Sequence, residues 1–381
     1  MMDDRELHQH LIGQQGSRAA LNTPVLVLDL DRLDRNIAAM QAKASEKGVA
    51  LRPHAKTHKS VDIAQRQIAA GAVGVCCAKI GEAEVMIDGG VAGVLITSPV
   101  AAPAAIVRLA KLALRADGLM ATVDDPQIAR SIDDVLARSD AMLDVVIDVD
   151  PGIRRTGVAS PEAAVELART IADCERLRLR GLQFYCGAQQ HIEEFPARRT
   201  AIEERTQYLR SVVGALCDAG FPPEIVTGSG TGTHAIDLAL GTFTELQTGS
   251  YVFMDAQYLD CDLDGSGEVP FETSLAVDAR VVSANHSALV TIDSGFKSLS
   301  TDGGSPRVTR GASPDTVFAF MGDEHGALVG PEIGSRLRSG DLVSLVVPHC
   351  DPTVNLYDNY HVVRGETLVD IWPVSARGRA R

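Results

Sequence analysis

The chain has 381 residues, enough for two or three domains of roughly 150 residues or for one large α/β barrel with an appendage, and too many for a small disulfide-stapled scaffold. Apolar residues make up 45% and charged residues 23%, a mixture that buries a large core and excludes global disorder. Lysine and arginine total 36 against 50 aspartates and glutamates, and the formal charge of −14 argues against nucleic acid or an anionic membrane as a partner.

The 7 cysteines, two of them adjacent at Cys76 and Cys77, read as reduced thiols and point to a cytoplasmic protein. The acidic start MMDDRELHQHLIGQQGSR lacks the basic and apolar regions of a secretory signal. No run approaches the roughly 20 apolar residues of a membrane-spanning helix.

VLVLDL (25–30) reads as a first strand, and Asp31 then caps a helix with Leu33, Ile37 and Met40 on one face. Further strands are expected at 50–56, 74–79, 93–98, 119–124, 144–150, 179–187, 224–230 and 244–253. Helix-forming stretches such as PEAAVELARTIADCERL and ARRTAIEERTQYLRSVVGALCDAG lie between them. About eight buried strands alternating with helices fit a closed (β/α)8 barrel better than an open sheet. After about residue 265 the pattern changes to alternating runs, SLAVDARVVSA, SALVTID, LVSLVV and YHVVRGETLVDIWPV, which indicate a separate β domain. The expected division is an N-terminal segment (1–22) packed on the β domain or a partner, a barrel (23–262) and a C-terminal β domain (263–381). The end GRAR is expected to fray.

Five constellations could carry chemistry. RPHAKTHKS (52–60) puts Lys56 at a strand end on the catalytic face of a barrel, where burial is expected to lower its pKa and leave a nucleophilic amine. A solvated pair, Lys56 and Lys59 beyond the strand end, is the alternative. VTGSGTGT (226–233) and QTGSY (247–251) are glycine- and hydroxyl-rich turns at neighbouring strand ends, suited to a phosphate or simply to tight connections. DVDPGIRRTG (148–157) offers arginines at the mouth. QFYCGAQQH (183–191) offers Tyr185 and a proton-transfer group, His191. In PHCDPT (348–353), His349 and Asp351 share one face of an extended segment and could bind a divalent cation, with Cys350 pointing away.

RPHAKTHKS after VLVLDL, then DPGIRRTG, FYCGAQQH, GSGTGT, ELQTGSYVFMD, GDEHG and HCDPT in that order resemble the fold-type III pyridoxal-phosphate enzymes of the D-threonine aldolase and eukaryotic-type D-serine dehydratase family, which also holds 3-hydroxy-D-aspartate aldolases. The resemblance runs from Thr23 to WPVSARG near the end. It implies an alanine-racemase-type barrel followed by a β-rich domain, as a homodimer with active sites near the subunit interface. It also implies Lys56 as the lysine that bonds pyridoxal 5'-phosphate, phosphate contacts from Gly230, Thr231, Gly249 and Ser250, and further cofactor contacts from Arg155, Tyr185 and Tyr251. A divalent metal, manganese, magnesium, cobalt or zinc, falls on His349 and Asp351. An aspartate at the second metal position looks like the aldolase branch, where the dehydratase branch has a cysteine.

The implied activity is that of a lyase cleaving β-hydroxy-D-amino acids, of the D-threonine, D-phenylserine or 3-hydroxy-D-aspartate type, to glycine and an aldehyde, with His191 or a bound water as base. The same residues could serve a dehydratase releasing ammonia and a 2-oxo acid. A metal-free racemase and a non-catalytic cofactor carrier are weaker rivals, the first leaving the H-x-D pair unused and the second the β domain. Asp323, Glu324 and His325 of GDEHG could reach the metal, the substrate or a neighbouring subunit.

Overall fold

Strand runs that are apolar on both faces have to be covered on both, and in the computed structural model, which describes residues 4–381, a ring of parallel strands wrapped by helices does this. After β1 (Val25–Asp29), the ring is built from β2 (Ala50–Leu51), β3 (Cys76–Cys77), β4 (Leu95–Ile96), β5 (Met120–Val123), β6 (Leu143–Asp148), β7 (Leu177–Phe184), β8 (Ile225–Gly228) and β9 (Glu245–Leu246). They pair in the order β2-β9-β8-β7-β6-β5-β4-β3. The two ends meet beyond their last ladder residues. His54 bridges Cys76 in parallel, the Cys76 N–H donates to Pro53 O at 2.8 Å, and the Ala55 N–H donates to Cys76 O at 2.7 Å. The result is the eight-stranded alanine-racemase-type barrel expected from the sequence. Cys76, Leu95, Met120 and Val146 form a cluster of their own inside it, while Cys77, Ile96, Ala121, Val145 and Ile147 pack outward with the helices.

The second sheet contains β10 (Leu275–His286), β11 (Leu289–Ile292), β12 (Arg307–Arg310), β13 (Val317–Phe320), β14 (Gly326–Val329), β15 (Leu342–Val346), β16 (Asn359–Arg364) and β17 (Thr367–Pro373). Its order is β13-β14-β11-β10-β1-β16-β17, with β15 also on β10 and β12 on β15. The expectation that 25–30 opens the barrel is therefore corrected, because β1 lies in this sheet, antiparallel to β10 and parallel to β16. The reason is visible in the packing. Leu26 and Leu28 join the large core, while Val25 and Val27 pack with Leu11, Leu21, Val363, Leu368 and Ile371 on the other face. A strand apolar on both sides looks the same in either setting.

Residues 4–22 cover that outer face, held by the Gly13 N–H on Leu368 O at 2.8 Å and by Arg18 on Asp278 at 2.7 Å. The exposed GRAR end follows a residue that is tied down. Ala376 is fully buried and donates its N–H to Lys59 O at 2.8 Å. The last residues lie against Gly81, where a Cβ would come within 2.5 Å of Arg381 O.

At the N-terminal end of the barrel strands, Arg52 on β2's extension meets Glu245 of β9 through two bonds of 3.0 and 2.9 Å and also reaches Gly93 O. Both side chains are buried. Glu245→Ala would strand a buried guanidinium, and a loss of about 3–5 kcal/mol in unfolding free energy is expected. Replacing both residues by apolar ones, Arg52→Met with Glu245→Leu, should recover most of it in the same denaturant titration.

Candidate active site

Lys56 lies in the turn that follows β2, and its Nζ sits 2.6 Å from Oδ1 of Asp351, a residue of the second domain. His349 Nε2 is 3.8 Å from the other oxygen, Oδ2, which is buried and has no hydrogen-bond partner. The amine and both metal candidates are thus brought together as the sequence suggests. The local geometry differs from the expected extended segment. His349 is extended (φ −143°, ψ 128°) and caps the short helix Cys350–Val354, so Asp351 stands on its first turn. Cys350 faces away as expected, fully buried, with its N–H on Asp255 Oδ2 at 2.9 Å.

The expected lowering of the Lys56 pKa is overturned. Burial does disfavour the ammonium, but the adjacent Asp351 carboxylate outweighs it and raises the pKa. Burial likewise disfavours the Asp351 carboxylate, and Lys56, with help from His349 and His54, brings it down to about 2. His54, buried beside Lys56, is lowered to about 3 and stays neutral. Its Nδ1 accepts the Lys56 N–H at 3.3 Å while Nε2 lies 3.1 Å from Thr97 Oγ1.

Lys56 opens into a cleft of about 850 Å³ whose wall includes Arg155, Tyr185, Thr97 and Gln183. The Arg155 guanidinium lies 5.8 Å from the Tyr185 ring centroid. Below, Gln183 donates to Asp148 Oδ1 at 2.8 Å and accepts from Gln247 at 3.1 Å, which closes the barrel interior with satisfied polar groups.

The two glycine turns stand side by side. The Tyr251 N–H donates to Thr231 Oγ1 at 2.9 Å, joining one to the other. The His54 N–H donates to Thr248 O at 3.1 Å, joining both to the turn of Lys56. At Gly249 a Cβ would stand 2.6 Å from Thr57 Oγ1, and at Gly230 it would stand 2.3 Å from Gln190 Oε1. The hydroxyls of Thr57 and Thr248 are buried without a partner. Orphaned donors beside glycines that leave room for an anion fit a phosphate. Tyr251 turns its own hydroxyl away, onto Gln67 at 3.0 Å, and is 1% exposed, so it contributes backbone and not ring to this region.

His191 is exposed but leans on Tyr258, ring centroids 4.6 Å apart. Partial enclosure of the otherwise exposed ring, then the nearby His349 and Lys56, lower its pKa, leaving a neutral imidazole at pH 7. Asp323, Glu324 and His325 make no ion pair with His349 or Asp351. They sit in the turn between β13 and β14, where Glu324 pairs with Lys297.

The donor set fits a cation. Asp351 offers a free buried oxygen, His349 a free Nε2, and His349 Nδ1 is oriented by Asp302 at 2.8 Å, a carboxylate behind an imidazole ligand. Asp302 was not singled out in the sequence, since nothing local marks it. A second group of possible ligands, Asp4, His8 and His361, has its ligand atoms within 4.8 Å of one another beneath residues 4–22. Its histidines bond each other, and His361 Nδ1 is left buried without a partner. His8 Nε2 accepts the Asn22 N–H at 3.0 Å, so its proton sits on Nδ1 and is donated to His361 Nε2 at 2.8 Å.

Residues 28–257 match the family model described as alanine racemase, N-terminal domain, and residues 274–363 match the putative serine dehydratase domain. The chain belongs to the alanine racemase N-terminal domain family, in a form that carries the dehydratase-type domain behind the barrel. It is 37% identical over 363 residues to a 3-hydroxy-D-aspartate aldolase of Paracoccus denitrificans, covering 94% of this chain and 93% of that protein. The crystal structure of D-threonine aldolase from Filomicrobium marinum superposes with a TM-score of 0.90 at 39% identity, covering 95% of this chain and 97% of the other. A D-threo-3-hydroxyaspartate dehydratase of Delftia is 28% identical over 381 residues, 94% of this chain and 98% of that protein.

Two measurements check the site's electrostatics. If His349 holds a divalent cation, Asp302→Asn should weaken binding of an added one, such as manganese, by roughly 10- to 100-fold in a calorimetric titration, because the imidazole loses its orienting carboxylate. Asp237, fully buried behind the first glycine turn, has its carboxyl raised by burial to about 6 against the hydroxyls of Thr233 and Ser229, which hold it down. A raised carboxyl binds more protons folded than unfolded, so its contribution to stability falls as pH rises from about 4 to 6. Asp237→Asn should match wild type below pH 4 and become more stable by on the order of 1–3 kcal/mol above pH 6; a gap that is constant with pH would refute this.

Proposed function

We propose that the chain is a pyridoxal-phosphate- and divalent-metal-dependent aldolase that cleaves β-hydroxy-D-amino acids to glycine and an aldehyde. The observation that carries the reading is the meeting of Lys56 Nζ with the Asp351 carboxylate at 2.6 Å, His349 standing on its far side. An amine able to bond an aldehyde lines the cleft, and a pair able to hold a cation stands directly against it.

Lys56 would bond the cofactor, with its phosphate held at Gly230, Thr231, Gly249 and Ser250 and further contacts from Arg155 and Tyr185. His349 and Asp351 would hold the ion, and an oxygen ligand admits manganese, magnesium or cobalt as readily as zinc. When bound, the cofactor supplies the sink for the electron pair released by Cα–Cβ cleavage and the ion a Lewis acid at the β-hydroxyl.

The chain's own groups supply the rest. Arg155 offers a fixed cation to an anionic oxygen at the cleft wall. His191, neutral at pH 7, takes the β-hydroxyl proton on a ring nitrogen. Asp351 holds the Lys56 amine at the cleft wall with one oxygen and faces His349 with the other.

The same reading makes the protein a cytoplasmic homodimer. Free cysteines throughout support the compartment, and the described residues contain no helix long and apolar enough to cross a membrane. Phe296 and Met321, 45% and 54% exposed beside the turn of Asp323 to His325, support a subunit contact there.

Lys56→Ala should lose the near-visible absorption band of the lysine-bound cofactor together with all turnover. Asp351→Ala should keep that band and lose at least 100-fold in kcat. With D-threonine, D-phenylserine and 3-hydroxy-D-aspartate, wild type should release glycine; ammonia with a 2-oxo acid would instead identify a dehydratase.

A further inference from the structure

The turn that carries Lys56 has a second lysine. Lys59 is three residues on, held at φ +50°, with its N–H on Ala55 O at 2.7 Å. Its ammonium is nearly buried, with the side chain 10% exposed, and lies 3.3 Å from Glu82 Oε1 and 3.0 Å from Asn355 Oδ1. Glu82, 5% exposed, spends its other oxygen on the Ala78 and Lys79 N–H groups at 2.8 and 3.3 Å. Asn355 ends the helix that carries Asp351, four residues after it. Lys56 and Lys59 on the barrel turn therefore face Asp351 and Asn355 on the helix as two rungs of one ladder, since residues four apart share a helix face.

The two rungs have different fates in the working enzyme. Cofactor bonding at Lys56 and cation binding at Asp351 each remove a partner from the first rung. Lys59 to Asn355 is then the remaining side-chain tie between this turn and this helix among the described residues. Its anchorage is independent of the cleft, because Glu82 is pinned to the barrel by backbone donors and the Asn355 carbonyl accepts from Arg377 Nε at 3.2 Å.

We propose that Lys59 is a positioning residue, fastening the Lys56 turn to the Asp351 helix through Glu82 and Asn355 and so setting where the metal pair stands relative to the reactive amine. This rests on the aldolase reading for its catalytic meaning but not for its geometry. A buried ammonium with a charged and a neutral partner is costly to leave half-made, so truncation is felt at both ends.

The test uses the holoenzyme and its manganese affinity. Asn355→Ala cuts only the tie to the metal helix at an exposed position. Lys59→Met with Glu82→Gln removes the ammonium without leaving a buried carboxylate unpaired. Both should bind manganese at least 10-fold more weakly by calorimetry and lower kcat at least 10-fold, with KM little changed and the absorption band of the lysine-bound cofactor retained. Lys59→Arg, which can still reach Glu82 and Asn355, should recover most of the manganese affinity. Wild-type manganese affinity in both cut variants would overturn the proposal, whatever their turnover. Failure of the aldolase reading is distinguishable, because wild type would then release no glycine while the manganese titrations keep their meaning.

Discussion

The structure turns on one contact between residues 295 positions apart in sequence, the Lys56 ammonium on the Asp351 carboxylate. Neither domain contains the site alone. The barrel supplies the amine, the two glycine turns and the arginine, and the second domain supplies both metal candidates. What holds the halves in register is the chain path. β1 is placed in the middle of the second sheet before the barrel begins, and β10 and β16 close on either side of it after the barrel ends. The barrel is an insertion between paired strands, so the His349–Asp351 segment is fixed to the barrel mouth from two directions. Tyr360 on β16 adds a bond from its hydroxyl to His58 O, 2.6 Å long and fully buried.

The electrostatics of this contact couple what binds at Lys56 to what binds at Asp351. With Asp351 against it, Lys56 is a better cation and a poorer nucleophile than a free lysine. Asp351 cannot serve the ammonium and a metal with the same charge. Turning its carboxylate toward His349 removes the interaction that raises the amine, and bonding of the amine to an aldehyde in turn frees the carboxylate. Each event lowers the cost of the other, so cofactor and cation binding should be mutually reinforcing, a coupling between two sites written in a single ion pair.

Much of this was legible along the chain because the relevant chemistry is local in sequence. The barrel strands announce themselves as β-rich runs between helix formers, the glycine turns as close-approach motifs, and His349 with Asp351 as a pair of donors two apart. What escaped is non-local. The assignment of β1 failed because apolarity on both faces does not say which neighbours bury it. The direction of the Lys56 shift failed because burial was visible and the distant carboxylate was not. β12, β13 and β14, four residues each, carried too little alternation to register against their polar connections. Asp302 and Asn355 are ordinary polar residues until the fold sets them behind a ligand and beside a lysine.

The placement of His191 bears on which bond the site is built to break. Its stacking partner Tyr258 belongs to a short helix capped by Asp255, whose Oδ1 accepts the Tyr258 N–H at 3.1 Å. The other oxygen of the same carboxylate accepts the Cys350 N–H at 2.9 Å, between the two metal candidates. Asp255 is fully buried, so one carboxylate fixes both the platform under His191 and the segment of His349 and Asp351. The imidazole is thereby tied to the segment of His349 and Asp351. A base beside that segment is suited to the proton of a β-oxygen held there, whereas removal of an α-proton calls for a base on the lysine side. Asp255 therefore sets His191 and the His349–Asp351 segment in one frame while being part of neither.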